Sequence, residues 1–299
     1  MSDPTDDVDT GRLSFDRVDS QATIVTQGEP VQSFVDSLSW LVDEAILQFD
    51  DDGVNVAAVD PANVCMMDVD WLSEGMVGYT FDADGTVRFG ANMDRLRDAL
   101  SLARVGRGNS KGDPVRIDVV GDGAPHLRVS VLRPDQGVKR TTKFMSIEPD
   151  SMRQPPEQPS IAQPYKADPD IDALKASLRV QKANTDHVRF RIKSNTFYVD
   201  AWDKADDVPT DSSDFVDTVE FADTAWHADE GVDYDGDGTG SLFSMDYLKD
   251  MVDAVDKAKA SRLTINFGDG VPVDMGWDVE DWSLRGQFML APRISSDDD

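Results

Sequence analysis

The sequence predicts an α+β protein of two similar domains, each an antiparallel sheet with two helices, joined by a proline-rich connecting loop. Three observations predict it. The element order helix, strands, helix, strands occurs twice along the 299 residues. The strand candidates come in runs and do not alternate with helices as βαβ units would. Between the two runs, residues 149–169 carry prolines at 149, 155, 156, 159, 164 and 169 with little periodic apolar content. Proline at that density blocks helix and sheet ladders and stiffens an extended chain. The domains are therefore 21–148 and 170–295, with 1–20 a disordered acidic N-terminal extension and 296–299 an acidic tail.

Ordered structure begins at 22–25. Phe34, Leu38, Leu41, Val42 and Ala45 form one apolar stripe and predict a helix over 31–45. Strands follow at 46–49 and 54–59, joined by an Asp-rich turn ending in Gly53, and another at 64–69. Asn92 opens a second helix, 92–104, with Met93, Leu96, Leu100 and Ala103 on one side. Strands are predicted at 115–120, 126–132 and 138–147. After the connector, Ile171, Leu174 and Leu178 mark a helix over 171–183, then strands at 188–192, 196–202 and 215–221. An acidic, glycine-rich loop covers 223–240. The last helix, 245–258, turns Leu248, Met251, Val252 and Val255 inward, and strands at 262–267, 271–276 and 283–290 finish the chain.

Charge narrows the setting. There are 58 Asp and Glu against 29 Lys and Arg, a formal net charge of -29. Such self-repulsion works against the compact state, and molar salt removes it by screening beyond about 3 Å. With acids spread through the domains and 39% hydrophobic residues to fill cores, a halophilic host explains the composition better than a disordered acidic mimic. The single Cys65 excludes an internal disulfide and fits a reducing compartment. The acidic N-terminus is no signal peptide, and no apolar run approaches a membrane span, which predicts a soluble cytoplasmic protein without membrane partners.

Catalytic constellations are missing from the sequence, and no cofactor is implied. His126, His187 and His227 are the only histidines, two of them at strand starts. No nucleophile elbow, phosphate-binding glycine loop or HExxH motif is present. The run Asp233-Tyr234-Asp235-Gly236-Asp237-Gly238 starts like a calcium loop, but Ser244 occupies the position of the bidentate Glu. Asp233, Asp235 and Asp237 are thus a weak metal candidate beside the reading of a solvated acidic loop. Paired carboxylates such as Asp278, Glu280 and Asp281 are uninformative in so acidic a chain and belong to a turn. A metal-dependent hydrolase is poorly supported.

The scarce cations say more. On helical wheels Lys175, Arg179 and Lys182 share one flank beside the apolar stripe. Arg97 and Arg104 do so on the second helix, and Lys249 on the last, where Asp253 and Asp256 share its side. A helical flank that keeps positive charge in an acidic protein fits a surface meeting phosphate backbone, and equally a solvated face with charges at helical spacing.

Three stretches then carry a resemblance: Val56-Ala-Ala-Val-Asp-Pro-Ala-Asn-Val64, Ser241-Leu-Phe-Ser-Met-Asp-Tyr-Leu-Lys-Asp-Met251 and Met289-Leu-Ala-Pro-Arg-Ile294, supported by Ile147-Glu-Pro-Asp-Ser-Met-Arg-Gln154. In order and spacing over 22–295 the chain resembles the proliferating cell nuclear antigen (PCNA) family of sliding clamps, in haloarchaeal form. The resemblance implies a DNA clamp fold, a homotrimeric ring on double-stranded DNA, and a processivity and recruitment role in DNA replication and repair. Implied partners are replicative DNA polymerase, clamp loader, flap nuclease and DNA ligase, each bringing a short hydrophobic motif. Carried over, Arg97, Arg104, Lys175, Arg179, Lys182 and Lys249 are channel residues. The partner pocket draws on Asn63, Val64, Met152, Pro155, Ile161, Pro272, Ala291, Pro292 and Ile294. Ring closure pairs an edge strand near 138–147 with one near 214–221 of the next copy. The alternative is a clamp-like binding module, monomeric or in a heteromeric ring, that does not encircle DNA by itself. The N-terminal extension, the long 223–240 loop and a first helix without Lys or Arg depart from the family. They leave open both unusually weak DNA contact and an origin in a virus or mobile element.

Overall fold

The computed structural model describes residues 13–106, 112–121, 124–157, 159–183, 185–194, 196–203, 217–228 and 237–293, without the side chains of 237 and 239. It divides into two compact units, Met1–Pro61 with Met67–Pro155 and Val279–Gly286, and Ala62–Met66 with Pro156–Asp278 and Gln287–Asp299.

In the first unit, β1 (Ala22–Gln27), β5 (Gly78–Phe81), β7 (Pro114–Val120), β8 (His126–Arg133) and β9 (Val138–Met145) form an antiparallel sheet in the order β5-β1-β7-β8-β9. A second set, β2 (Glu44–Phe49), β3 (Gly53–Val59), β4 (Cys65–Leu72) and β6 (Val87–Asn92), runs in the order β4-β3-β2-β6. Helices α1 (Gly28–Leu38) and α2 (Met93–Leu100) pack against each other. Ile24, Phe34, Leu47, Trp71, Leu96 and Leu127 share the core, where Phe34 and Trp71 rings lie 5.2 Å apart.

Helix α1 starts and stops earlier than its apolar stripe predicts. Glu29 and Pro30 occupy its first turn, where a missing N–H costs nothing and a carboxylate favours the dipole. Gly28 is required because a Cβ there would stand 2.5 Å from the Arg104 carbonyl oxygen. The helix closes at Ser39, whose N–H donates to the Val35 carbonyl. Residues 44–49 instead join β6 residue by residue, Glu44 opposite Asn92 through Phe49 opposite Val87. A continuous ladder satisfies this backbone, and Leu41, Val42 and Ala45 leave the helix. Helix α2 keeps its predicted start, with Asn92 Oδ1 accepting from the Arg95 N–H at 3.0 Å. Asn92→Ala is expected to cost about 1 kcal/mol in urea melts, and a neutral result would remove the cap from the account.

The second unit repeats the plan. Strands β10 (Tyr165–Asp168), β14 (Ala225–Ala228), β16 (Arg262–Phe267), β17 (Val273–Val279) and β18 (Leu284–Leu290) run in the order β14-β10-β16-β17-β18. Strands β11 (His187–Lys193), β12 (Thr196–Trp202), β13 (Asp217–Phe221) and β15 (Asp237–Ser244) run β13-β12-β11-β15. Helices α3 (Ile171–Gln181) and α4 (Met245–Lys257) pack together, with Leu174, Leu178, Leu248, Met251, Val252 and Val255 buried. The duplicated order of elements is therefore a duplicated three-dimensional unit.

Three expectations change. The connector's last residues form β10, because Tyr165–Asp168 pairs with β14 and β16 on both sides. The 223–240 segment contributes β14 and the start of β15; short strands among Asp and Gly lack the apolar alternation that would reveal them. Residues 13–20, expected to lack structure, are held to the first unit: Leu13, Phe15 and Val18 are half-buried, and Asp16 pairs with Arg128 and Lys139. Among the described residues no helix is long and apolar enough to cross a membrane.

Candidate DNA-facing helices and partner cleft

Five of the six predicted channel cations meet carboxylates. Arg97 reaches Asp94 at 3.0 Å and Asp36 at 3.8 Å. Lys175 bridges Asp256 at 2.5 Å and Asp253 at 3.2 Å. Lys182, at the C-cap of α3, contacts Asp186 and Asp246, both at 3.0 Å, and Lys249 contacts Asp253 at 2.8 Å and Asp250 at 3.4 Å. Hydrogen bonds donated to these carboxylates hold the three ammoniums more firmly protonated than usual. Burial works to raise the Asp253 pKa, yet its bonds to Lys249 and Lys175 bring it below the ordinary value. Three lysines on α3 and α4 thus face five aspartates. Arg179 is exposed with no side-chain partner among the described residues.

Arg104 is not on the helix at all. The helix ends at Leu100, and the Arg104 guanidinium makes paired bonds to Asp113 at 2.8 and 2.9 Å and to Asp135 at 2.6 and 3.0 Å. The Asp113 N–H donates to the Arg104 carbonyl and the Arg104 N–H to the Asp113 carboxylate, so this arginine is an architectural clasp. Arg95 and Lys257, not singled out by the wheels, are exposed helix cations without a recorded acid partner among the described residues. Helical spacing gave no signal for them, since Asp98 stands three residues after Arg95 and Asp253 four residues before Lys257.

The first unit also holds a cleft of about 660 Å³, lined by Trp40, Leu41, Val42, Ile46, Val59, Pro61, Ile147 and Met152 among others. The chain after β9 builds its wall. The Ile147 N–H donates to the Gly90 carbonyl, a short turn covers Pro149–Ser151, and Arg153 donates to the Asp60 carbonyl at 2.6 Å. Gly90 permits this, since a Cβ would lie 2.3 Å from the Ile147 oxygen and 2.5 Å from the Met152 sulfur.

Of the predicted pocket residues, Met152 lines this cleft, and Pro155 lies in the same unit, three residues beyond it in the chain. Asn63, Val64, Ile161, Pro272, Ala291 and Pro292 belong to the second unit. There the Ala291 N–H donates to the Val64 carbonyl at 2.8 Å, and Gln163 reaches the Pro272 carbonyl at 3.4 Å. Ile294 lies outside the described residues, as do Asp233 and Asp235 and the side chain of Asp237. Trp40, Leu41 and Val42 were missed because the predicted helix absorbed them.

Of the histidines, His126 contacts the Ala124 carbonyl and His227 sits opposite Lys166. His187 is buried with both ring nitrogens unpartnered among the described residues, and burial lowers its pKa.

Two repeated units of antiparallel sheet with paired helices are the PCNA clamp fold. The PCNA of A. fulgidus, solved with the C-terminal region of FEN-1, superposes with a TM-score of 0.71 at 25% identity, over 92% of this chain and all of that one. Thermococcus kodakaraensis PCNA gives 0.70 at 22% identity, over 91% and 100%. No family model matches the chain. The DNA polymerase sliding clamp of Natronomonas pharaonis is 32% identical over 279 residues, 91% of this chain and 98% of that protein. The clamp of Halobacterium salinarum is 29% identical over 274 residues with the same coverage. The chain belongs to the DNA polymerase sliding clamps, and its function is that of a sliding clamp in DNA replication. Nothing in these relatives supports an origin in a virus or mobile element.

Proposed function

We propose that three copies close head to tail into a ring around double-stranded DNA, and that the ring acts without catalysis in the cytoplasm, as a recruitment platform for replication and repair. The observation that carries this is a pair of complementary edges, each unpaired on one side among the described residues. Strand β9 ends the five-stranded sheet and carries Lys139, Arg140 and Lys143; strand β13 ends the four-stranded sheet and carries Asp217 and Glu220. Val138 and Met145 on β9 are 39% and 52% exposed, the apolar exposure of a strand awaiting a neighbour. Different surfaces meeting head to tail close a ring when the rotation allows.

In this reading Arg97, Lys175, Arg179, Lys182 and Lys249 face DNA backbone, while Arg104 serves architecture. Carboxylates beside the lysines make direct phosphate contact weak and leave room for cations to bridge the two anionic surfaces. Hydrophobic motifs of polymerase, clamp loader, flap nuclease and ligase dock in the first-unit cleft beside Met152, with Pro155 as a further pocket candidate. Apolar Trp40, Leu41, Val42, Ile147 and Met152 share the cleft with Asp43, Glu44, Asn92 and Arg153, and hydrogen bonds from Ile147 and Arg153 tie its wall, so little ordering opposes binding. A solved PCNA carrying the C-terminal region of FEN-1 supports this mode.

Light scattering in molar KCl tests the ring. A trimer mass is expected, and a monomer at high concentration would favour a binding module or a member of a heteromeric ring. Replacing Lys175, Arg179 and Lys182 together by Ala should lower retention on closed circular DNA and leave the trimer mass unchanged. Equal retention would remove these residues from the DNA surface.

A further inference from the structure

We infer that residues 13–20 form an intramolecular strap that weakens pairing between edge strand β9 and a second copy of the chain, by occupying Lys139. The inference rests on the ring proposed above and adds a regulatory device to it. Asp16 lies between two cations of the outer sheet face, 2.7 Å from Lys139 Nζ on β9 and 2.5 Å from Arg128 on β8. Lys139 also donates to the Ser14 carbonyl at 3.0 Å, so the strap supplies both of its recorded bonds. The hydrogen bond from Lys139 holds the Asp16 carboxyl below its usual range. Leu13, Phe15 and Val18 are half-buried along the same segment, and the Ser20 hydroxyl meets that of Thr23 on β1 at 2.8 Å. The attachment is therefore more than one exposed ion pair.

The face beneath has a reason to hold an acid. Asp118 is fully buried there, bonded by Arg116 at 2.7 Å and Thr23 at 3.0 Å and approached by Arg128 at 3.4 Å. Two arginines share that one carboxylate, and Asp16 supplies the second negative charge. In doing so it also takes Lys139, which stands on the free edge.

The acceptor edge of another copy presents the competing charge. On β13, Phe221 points into the core and Glu220 is exposed, while Thr218 donates to Asp200. A Glu220 approaching Lys139 meets an ammonium already neutralised and a second carboxylate beside it. Removing the Asp16 charge frees Lys139 for the neighbour. Molar salt screens both alternatives and should erase the difference.

The test compares full-length wild type, Asp16→Asn and Asp19→Asn by analytical ultracentrifugation in about 0.3 M and about 3 M KCl. Asp19 is exposed without a recorded partner among the described residues, so its substitution changes net charge equally and leaves Lys139 held. The expected result is a self-dissociation constant lowered about two- to fivefold for Asp16→Asn alone at the lower salt, with the gap closing at the higher. Unchanged or weaker association of Asp16→Asn, or equal tightening by Asp19→Asn, would overturn the strap while leaving the ring. Absence of any oligomer in all three proteins at both salts would overturn the ring and the strap with it. Circular dichroism of each variant checks that the fold is intact.

Discussion

Phe190→Ala is expected to destabilise the second unit by about 3–5 kcal/mol, the cost of removing a large ring from a core that cannot collapse around the gap. Phe190 is fully buried at the centre of β11. Its ring stacks on Phe197 at 5.7 Å and meets Phe267 at 5.9 Å and Phe243 at 6.5 Å. Those partners come from β12, β16 and β15, so the one side chain ties both sheets of the unit. Urea unfolding in molar KCl, followed by circular dichroism, would show an earlier second-unit transition. A loss below about 1 kcal/mol would mean that the neighbouring rings close the void.

Met152→Glu should reduce binding of a labelled hydrophobic partner peptide about 100-fold and leave the mass of the assembly unchanged. The introduced carboxylate would enter a cleft bounded by Trp40, Leu41, Ile147 and Pro61, where a docking apolar side chain must strip its water. Met152 is half-buried on the wall and is not part of either core, so stability should change little. Fluorescence anisotropy reads the affinity. Unchanged binding would move the docking site away from this cleft.

The legible parts of the fold were those governed by local rules. Asn92 signalled the start of α2 because a cap is a contact between residues three apart. The proline cluster marked the passage between repeats. The run 39–45 misled, because apolar spacing alone does not distinguish a fourth helical turn from a bend followed by a buried strand. The extra strands β5, β6, β10 and β14 are short or polar, and they exist because neighbouring strands accept their backbone groups.

The candidate site divides in the same way. Cation positions on the helices were visible, as was Met152 beside the connector. The acids that meet those cations were only partly visible. Asp253 stood on the Lys249 flank, but the bridge from Lys175 to Asp256 spans 81 residues of sequence and needed the packing of α3 on α4. Arg104 changed role because a loop closed on Asp113.

By itself the sequence determined the duplication, the acidic character, the proline-rich connector, the absence of a recognisable catalytic motif and the family motifs. Each is a property of composition or of residues close in the chain. Tertiary structure alone decided which charges are spent on one another, which apolar residues wall a cleft, and that Asp16 lies on Arg128, 112 residues away. Such pairings depend on how folded elements are brought together, and no periodicity along the chain encodes a partner at that distance.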